Sequence, residues 1–399
     1  MSISAAVYHP PQGGQSATRT AAVVCAGFCA FLTLFAPQPL LPMLAAQFGA
    51  SAARVSLVVT ASTVAVALAG PLAGALGDRL GRKRVIVPSA FLLVLPTILA
   101  ATSQNLAQLI FWRFWQGVFT PGIFVITIAY INEEWETGGG AAVAAYVTGT
   151  VVGGFAGRML SGVVAAHTSW RWSFVVLGVF NLFGSAAIWA WLPAGRRFVR
   201  ARRGSSTLRP MLRHLRNPQL LATYAVAFCV MFTLLSTFTY ITFYLAAPPF
   251  RLSTQALALL FVVYLVGAVI TPVAGRSIDR LGHRAALLLA FSGGTLGILL
   301  TLVHRIPVVM LGLALCCTGV FIANSAGASY VGKVAREARA AAVGLYVTFY
   351  YTGGSFGSAM PGPFWSRGGW PACVILIAAV QVLTIVLSAV FWTPPNAAE

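Results

Sequence analysis

The chain has 399 residues and a formal net charge of +19, yet only 8% of its residues are charged and 58% are hydrophobic. Soluble domains usually carry about 25% charged residues. The composition therefore excludes a water-soluble globule of this size and favours a chain that lies in lipid. A basic balance can indicate nucleic-acid binding, but here the arginines lie in short connections between apolar runs. We interpret them as topogenic charges that contact anionic lipid head groups, and we expect no nucleic-acid partner.

Twelve apolar runs are long enough to be membrane helices, since a bilayer core needs about 20 residues of helix. They lie near residues 20–44, 55–76, 85–102, 106–131, 141–165, 171–193, 219–246, 254–276, 285–303, 307–331, 340–363 and 370–392. The runs are continuous and lack period-two alternation, which favours helices over a barrel. The predicted fold class is an all-α membrane protein of twelve transmembrane helices in two six-helix bundles.

The distribution of Lys and Arg predicts the orientation and the organisation of the chain. Most of the 26 cationic residues fall in the even-numbered connections, so both termini are predicted to be cytoplasmic. The predicted segments are a disordered tail (1–18), a first bundle (19–193), a basic linker (194–218), a second bundle (219–393) and a short tail (394–399). The linker contains no acidic residue, and we expect it to be partly helical along the membrane surface.

Two stretches of the first half return in the second half. YVTGTVVGGFAG at 146–157 returns as YVTFYYTGGSFG at 346–357, and GALGDRLGRKRVI at 74–86 returns as GRSIDRLGHRAAL at 275–287. Both copies of the second stretch follow the second predicted span of their half. Parallel repeats about an axis normal to the membrane characterise one large transporter fold, and we predict that fold here.

These motifs resemble those of the major facilitator superfamily, specifically its twelve-helix drug and sugar efflux branch, over about residues 20–392. The loop motif of that family is matched by Gly74, Leu76, Asp78, Arg79, Gly81, Arg82 and Lys83, and its second copy by Gly275, Asp279, Arg280, Gly282 and Arg284. A fourth-span motif is matched by Leu109, Arg113, Gln116 and Gly117. The fifth-span antiporter motif is only partial, because Gly154 stands where the family has proline and Arg158 where it has glycine. That departure weakens the case for antiport and leaves the fold assignment intact.

The resemblance implies a gating role for the loop motif. Asp78 is expected to cap the N-terminus of the eleventh span when the cytoplasmic side is closed, which stabilises one state of an alternating-access cycle. In the same closed state, Arg79 and Arg82 would pair with acids at the cytoplasmic end of the fourth span. The predicted gating residues are Gly74, Asp78, Arg79, Gly81, Arg82, Asp279 and Arg280, and the available acids are Glu133, Glu134 and Glu136. The alternative is that Asp78 is a solvated loop acid.

Two arginines are predicted inside the membrane, where a cation is costly. Arg113 is a side chain that snorkels to the periplasmic end, an anchor to backbone carbonyls, or a cavity-facing residue in substrate binding or proton coupling that shares a face with Gln116. We expect its partners to be carbonyls and neutral oxygens, including the side-chain amide of Gln38. Arg158 is either a packing partner or a functional group.

The resemblance also implies that the first, fourth, seventh and tenth spans line the cavity. The substrate or coupling candidates are Gln38, Arg113, Gln116, Arg158, Glu133, Glu134, Tyr240 and Asn324. Because no acid is predicted at the middle of a span, Glu133 and Glu134 near the rim are the expected proton carriers. The alternative is that substrate and proton compete indirectly near Arg113.

The predicted function is proton-coupled efflux of small amphiphilic or drug-like compounds by alternating access. The alternative is export or import of one metabolite, such as a sugar, an amino-acid derivative or a siderophore. A third possibility is a non-transporting sensor or lipid-handling protein of the same fold. The sequence contains no Walker A motif and no recognisable catalytic motif, so we expect no enzyme activity and no cofactor, with the proton gradient as energy source. We expect a monomer in the bacterial inner membrane, with a small-molecule substrate and the bilayer as partners.

Overall fold

The computed structural model describes residues 13–135, 138–195, 208–335 and 337–392, and the regular elements in these ranges are helices. The first half comprises α1 (Gly13–Leu34), a 3₁₀ turn (Gln38–Leu40), α2 (Leu41–Phe48), α3 (Ala52–Val55), α4 (Leu57–Leu80), α5 (Arg82–Ala100), α6 (Leu106–Glu134), α7 (Gly139–His167) and α8 (Trp170–Trp191). The second half follows the short helix α9 (Leu208–Leu215). It comprises α10 (Pro218–Ala246), α11 (Thr254–Leu259), a 3₁₀ turn (Leu260–Tyr264), α12 (Leu265–Leu300), α13 (Ile306–Val334), α14 (Arg339–Ala359) and α15 (Pro361–Phe391).

Ten stretches of the described residues are long and apolar enough to cross a membrane. Two of the twelve predicted spans are not among these ten. The run predicted at 254–276 is divided between α11, the second 3₁₀ turn and the start of α12. The run predicted at 340–363 coincides largely with α14, where Gly, Ser, Thr and Tyr dilute the aliphatic residues.

The predicted N-terminal tail is partly wrong, because α1 begins at Gly13 and residues 13–18 are helical. Residues 1–12 of that tail and residues 393–399 lie outside the described ranges. Residues 196–207 of the predicted linker (194–218) also lie outside the described ranges. The later part of the linker contains α9.

The repeated glycines explain why one motif occurs in both halves. A Cβ atom added at Gly157 of α7 would clash with the backbone oxygen of Leu32 in α1. A Cβ atom added at Gly357 of α14 would clash in the same way with the backbone oxygen of Phe232 in α10. Small residues let helix backbones approach closely in a membrane, where no hydrophobic force drives helices together. The same helix pair is therefore packed in the same way in each half.

The repeated loop motif also produces the same backbone twice. Gly81 has φ 96° and ψ 149°, and Gly282 has φ 81° and ψ 159°, so both occupy a region that L-residues avoid. Because Gly282 interrupts α12, that element is two helices that meet at the bend, as α4 and α5 meet at Gly81. We call the membrane side that carries these two glycines the basic face, and the other side the opposite face.

The two halves are joined at the opposite face by hydroxyl groups. Thr60 Oγ1 of α4 lies 2.8 Å from Ser358 Oγ of α14, and Ser355 Oγ donates to Thr63 Oγ1 over 3.0 Å. Towards the basic face, a Cβ atom added at Gly74 of α4 would meet no atom within 4 Å, so no other helix packs closely on α4 there. This conformer is therefore closed towards the opposite face.

Candidate substrate site and gate

The centre of the candidate substrate site is Arg158 of α7, whose residue surface is only 1% exposed. The central guanidinium carbon lies 4.3 Å from the ring centroid of Tyr264, 4.9 Å from that of Phe261 and 5.1 Å from that of Phe35. Phe35 belongs to the first half, whereas Phe261 and Tyr264 belong to the second. The cation therefore lies at the junction of the two halves, against aromatic faces that attract it.

The hydrogen bonds of Arg158 leave part of its donor capacity unused. Nε donates to Gln38 Oε1 over 2.7 Å, and Nη1 donates to the backbone oxygen of Gly154 over 2.7 Å. Within the described part of the chain, neither Arg158 Nη2 nor the hydroxyl of Tyr264 has a hydrogen-bond partner. An unsatisfied buried polar group costs about 1–3 kcal/mol. Both groups are therefore free to bind an oxygen atom of a ligand.

Gln38 connects this cation to the second half. It begins the 3₁₀ turn that separates α1 from α2, between Pro37 and Pro39, which cannot donate backbone hydrogen bonds. The break places its side-chain amide between the halves, and Nε2 donates to Thr239 Oγ1 of α10 over 3.4 Å. The sequence indicated this unwound turn but assigned the amide to Arg113, which is wrong because its oxygen binds Arg158.

Arg113 is an anchor within the first half, and its residue surface is 0% exposed. Its donors reach the backbone oxygens of Val58 (3.1 Å), Thr33 (2.9 Å) and Leu34, the hydroxyl of Ser62 (2.9 Å) and the side-chain oxygen of Gln116. A guanidinium has five N–H donors, and this set uses all of them. Gln116 in turn donates to the backbone oxygen of Pro96 over 3.2 Å. These contacts favour the anchor interpretation, because no donor remains for a substrate in this conformer.

The loop motif forms an ion-pair network at the basic face. Arg82 Nη1 lies 2.7 Å from Asp78 Oδ1, and Arg82 Nε donates to Glu133 Oε2 at the end of α6 over 3.0 Å. Arg82 therefore binds an acid at the end of the fourth span. That such pairs belong to the conformer closed at the basic face stays a prediction. The Asp78 side chain remains 50% exposed. Its proposed cap on α14 concerns a conformer closed at the basic face and stays a prediction.

The other acids and cations near the gate differ in exposure. Arg79 is exposed and Glu134 is buried at the end of α6. Glu136 lies outside the described residues. In the second copy of the motif, Asp279 and Arg280 are exposed.

The second copy also differs in its central pairing. His283 stands where the first copy has Arg82, and its Nε2 lies 3.0 Å from Ser329 Oγ of α13. The acid–arginine–acid network is thus a property of the first half, and the two gates are not chemically equivalent.

Two further candidates lie away from Arg158 in the hydrogen-bond network. The Tyr240 hydroxyl donates to Ser56 Oγ over 3.3 Å and belongs to the contacts that close the opposite face. Asn324 Oδ1 accepts a hydrogen bond from the Tyr346 hydroxyl over 3.1 Å and ties α13 to α14. The Tyr346 hydroxyl also lies 3.2 Å from the backbone oxygen of Asn324. The equivalent bond in the first half joins the Tyr146 hydroxyl to the backbone oxygen of Phe124 in α6 over 3.1 Å.

The sequence analysis missed the aromatic members of the site, which are Phe35, Phe261 and Tyr264. A signal was present in the second half, because Phe261 and Tyr264 are three residues apart and share a helical face. Tyr264 also lies in an apolar run, where its hydroxyl needs a hydrogen-bond partner, and this need is a second signal of a polar site.

Two repeated helical halves that enclose a polar cluster between them define the class of a membrane transporter with alternating access. Comparison with known families agrees with that class. The family model described as Major Facilitator Superfamily matches residues 23–358 and 247–399. The chain belongs to this superfamily and is a secondary transporter, not an enzyme.

Individual relatives support the assignment over most of the chain. An uncharacterized transporter of Buchnera aphidicola is 31% identical over 364 residues, which is 91% of this chain and 88% of the relative. The inner membrane transport protein YnfM of Escherichia coli is 30% identical over 370 residues, with 92% and 89% covered. Among solved structures, the nucleoside transporter NupG has a TM-score of 0.76 at 15% identity, with 94% of this chain and all of that chain covered. At that identity the structural likeness supports the fold alone.

Proposed function

We propose that this protein exports small amphiphilic compounds, driven by inward proton flow, and that the substrate binds at Arg158. The observation that carries the proposal is the environment of this guanidinium. It has an unpaired Nη2 and aromatic rings around it, including that of Tyr264, whose hydroxyl is also unpaired among the described residues. Rings suit an apolar or aromatic body, and the two polar groups suit an oxygen acceptor on the same molecule. A neutral or weakly acidic compound of mixed polarity fits this set.

The placement of acidic residues argues against a cationic substrate. The acids in the described ranges are Asp78, Glu133, Glu134, Asp279 and Glu337, and all of them lie at or beside helix ends on the basic face. A cation at Arg158 would meet a like charge in a medium of low dielectric constant, which is strongly unfavourable.

The proposal places the basic face in the cytoplasm of a bacterial cell, with the protein in the inner membrane and both termini on the cytoplasmic side. The cationic connections support this orientation, because cytoplasmic loops carry an excess of Lys and Arg. We further propose a monomer without a cofactor and a total of twelve spans. Two spans would be added to the ten apolar stretches. One is α14, and the other is the run divided between α11, the second 3₁₀ turn and the first part of α12.

A transporter for one specific metabolite is the second candidate. It is favoured by the small, directional set of hydrogen-bonding groups around Arg158, which comprises the amide of Gln38 and the hydroxyls of Thr239 and Tyr264. Such a set distinguishes substrates by their oxygen and nitrogen positions more sharply than an apolar pocket does.

Transport by the purified protein in proteoliposomes tests both candidates. A panel of neutral, weakly acidic and cationic amphiphiles would be compared with sugars, nucleosides and amino-acid derivatives, with and without a pH gradient. We expect several uncharged or weakly acidic amphiphiles to move, and to move faster with the gradient. Transport of a single metabolite would support the second candidate, a transporter for one specific metabolite. A transport rate that is unchanged by the pH gradient would contradict proton coupling.

A further inference from the structure

A cavity of ≈ 910 Å³ lies at the basic face of the second half, away from Arg158. It is lined by α9, the start of α10, the bend of α12 and the end of α13. Among the described residues, its charged side chains and histidines are Arg213, His214, Arg216, His283, Arg284, Lys333 and Glu337. In this described lining, four cations against one acid leave an excess of three positive charges.

The single acid of this cavity neutralises only one of the cations. Arg213 Nη1 lies 2.7 Å from Glu337 Oε2, and both side chains are largely exposed. In the described part of the chain, the ion pairs are those of Arg82 and Arg213, so Arg216, Arg284 and Lys333 have no acidic partner there. Residues 194–216 contain no acid in sequence, so the linker cannot supply the missing counter-charge.

A buried and unpartnered side chain lines the same cavity. His214 of α9 is only 9% exposed, and its Nε2 has no hydrogen-bond partner among the described residues. A buried ring nitrogen without a partner is unfavourable and is satisfied when a ligand brings a complementary group. Excess positive charge and an unsatisfied buried nitrogen therefore coincide in one cavity.

We propose that this cavity binds a phosphate-bearing anion and thereby ties the linker helix α9 to the second half. Guanidinium and ammonium groups form short, charge-assisted hydrogen bonds with phosphate oxygens. The cavity lies at the helix ends of the basic face, where we expect the lipid head groups, and basic pockets between helices on such a face bind anionic head groups. A soluble phosphate compound carries the same chemistry, so the experiment must separate the two sources.

The experiment uses the purified full-length protein and measures retained ligand by native mass spectrometry. One arm offers cardiolipin in a phosphatidylcholine background, and the other offers glycerol phosphate or inorganic phosphate. The test variant is the double change Arg284→Gln with Lys333→Gln. The matched control is Arg84→Gln with Arg276→Gln, which removes two exposed cations from the same face outside the cavity.

We expect the wild type and the control pair to retain cardiolipin equally, and the test pair to bind it about tenfold more weakly or worse. Retention of the soluble phosphate compounds alone, lost in the same variant, would assign the site to a soluble ligand. His214→Gln gives a second test that leaves all four cations in place, and we expect it also to weaken retention. Equal retention by the test pair, or an equal loss in the control pair, would overturn the proposal.

Discussion

Arg158 Nε lies 2.7 Å from Oε1 of Gln38, so the cation of α7 is held by the unwound turn of the first span. The amide nitrogen of Gln38 donates to Thr239 in the second half over 3.4 Å. Opening the opposite face would separate Gln38 from Thr239 and Arg158 from Tyr264. The bond between Arg158 and Gln38 would remain, because both residues belong to the first half. The ligand that we propose at Arg158 would therefore act where the two halves touch, as the proposed alternating access requires.

The packing of the repeat predicts the effect of a single added methyl group. A Cβ atom at Gly353 would clash with the backbone oxygen of Phe228, whereas one at Gly293 would meet no atom within 4 Å. We expect Gly353→Ala to destabilise the protein by about 2 kcal/mol, since overpacking a helix contact costs about 1–3 kcal/mol. Gly293→Ala should be neutral or stabilising by up to about 1 kcal/mol. Thermal unfolding in detergent measures both variants, and equal midpoints would contradict the close approach of α14 to α10.

Arg113 should matter for stability more than for direct substrate contact. Arg113→Lys removes at least two charge-assisted hydrogen bonds, each worth about 1.5–3 kcal/mol, because an ammonium has only three donors. We expect both Arg113→Lys and Arg113→Ala to lower the unfolding temperature and to impair transport to a similar degree, while both reach the membrane. Arg305→Lys, at an exposed site on the opposite face, is the control. Full transport and unchanged stability of Arg113→Lys would show that the fork geometry is irrelevant.

The gate can be tested by neutralising one half-exposed acid. Asp78→Asn removes the ion pair with Arg82, which for an exposed partner contributes at most about 1 kcal/mol. Stability should therefore change little. Transport should fall severalfold if Asp78 also caps α14 in the conformer closed at the basic face. The measurement is the initial transport rate of Asp78→Asn and of the wild type at matched expression. A normal rate in the variant would rule out the gating role.

Proton coupling is tested at the end of α6. Glu133→Gln combined with Glu134→Gln removes the two proposed carriers, of which Glu133 is bound to Arg82. We expect the pH gradient to lose its accelerating effect, while substrate exchange without a gradient continues. The comparison needs both assays on the same proteoliposomes. Transport that still responds to the gradient would show that the proton uses another group.

Much of the helical organisation is predictable from the sequence, because it depends on local patterns. The repeat predicts the matched packing of Gly157 and Gly357, and the loop motif predicts the ion pair of Arg82. The partner of Gln38 is not predictable in this way. It depends on how the break between α1 and α2 rotates the amide towards α7, which is set by tertiary packing.

Neither the aromatic site around Arg158 nor the basic cavity can be predicted from the sequence, because both depend on tertiary packing. Tyr264 and Arg158 lie in different halves, and their approach of 4.3 Å follows from how the halves meet. His214 gives no signal in the sequence, because its burial depends on where the short helix α9 packs against the second half.

The most direct measurement is the equilibrium dissociation constant of a transported compound for the wild type and for Arg158→Lys. Lysine keeps the charge but loses the planar fork and the stacking on Tyr264 and Phe261. Arg171→Lys, at the start of α8, is the control, because that side chain donates to the backbone oxygen of Ser103 over 3.0 Å and lies outside the site. We predict that Arg158→Lys binds the compound about tenfold more weakly or worse, whereas the control binds as the wild type does. An unchanged dissociation constant in a folded Arg158→Lys variant would contradict the assignment of Arg158 as the substrate-binding residue.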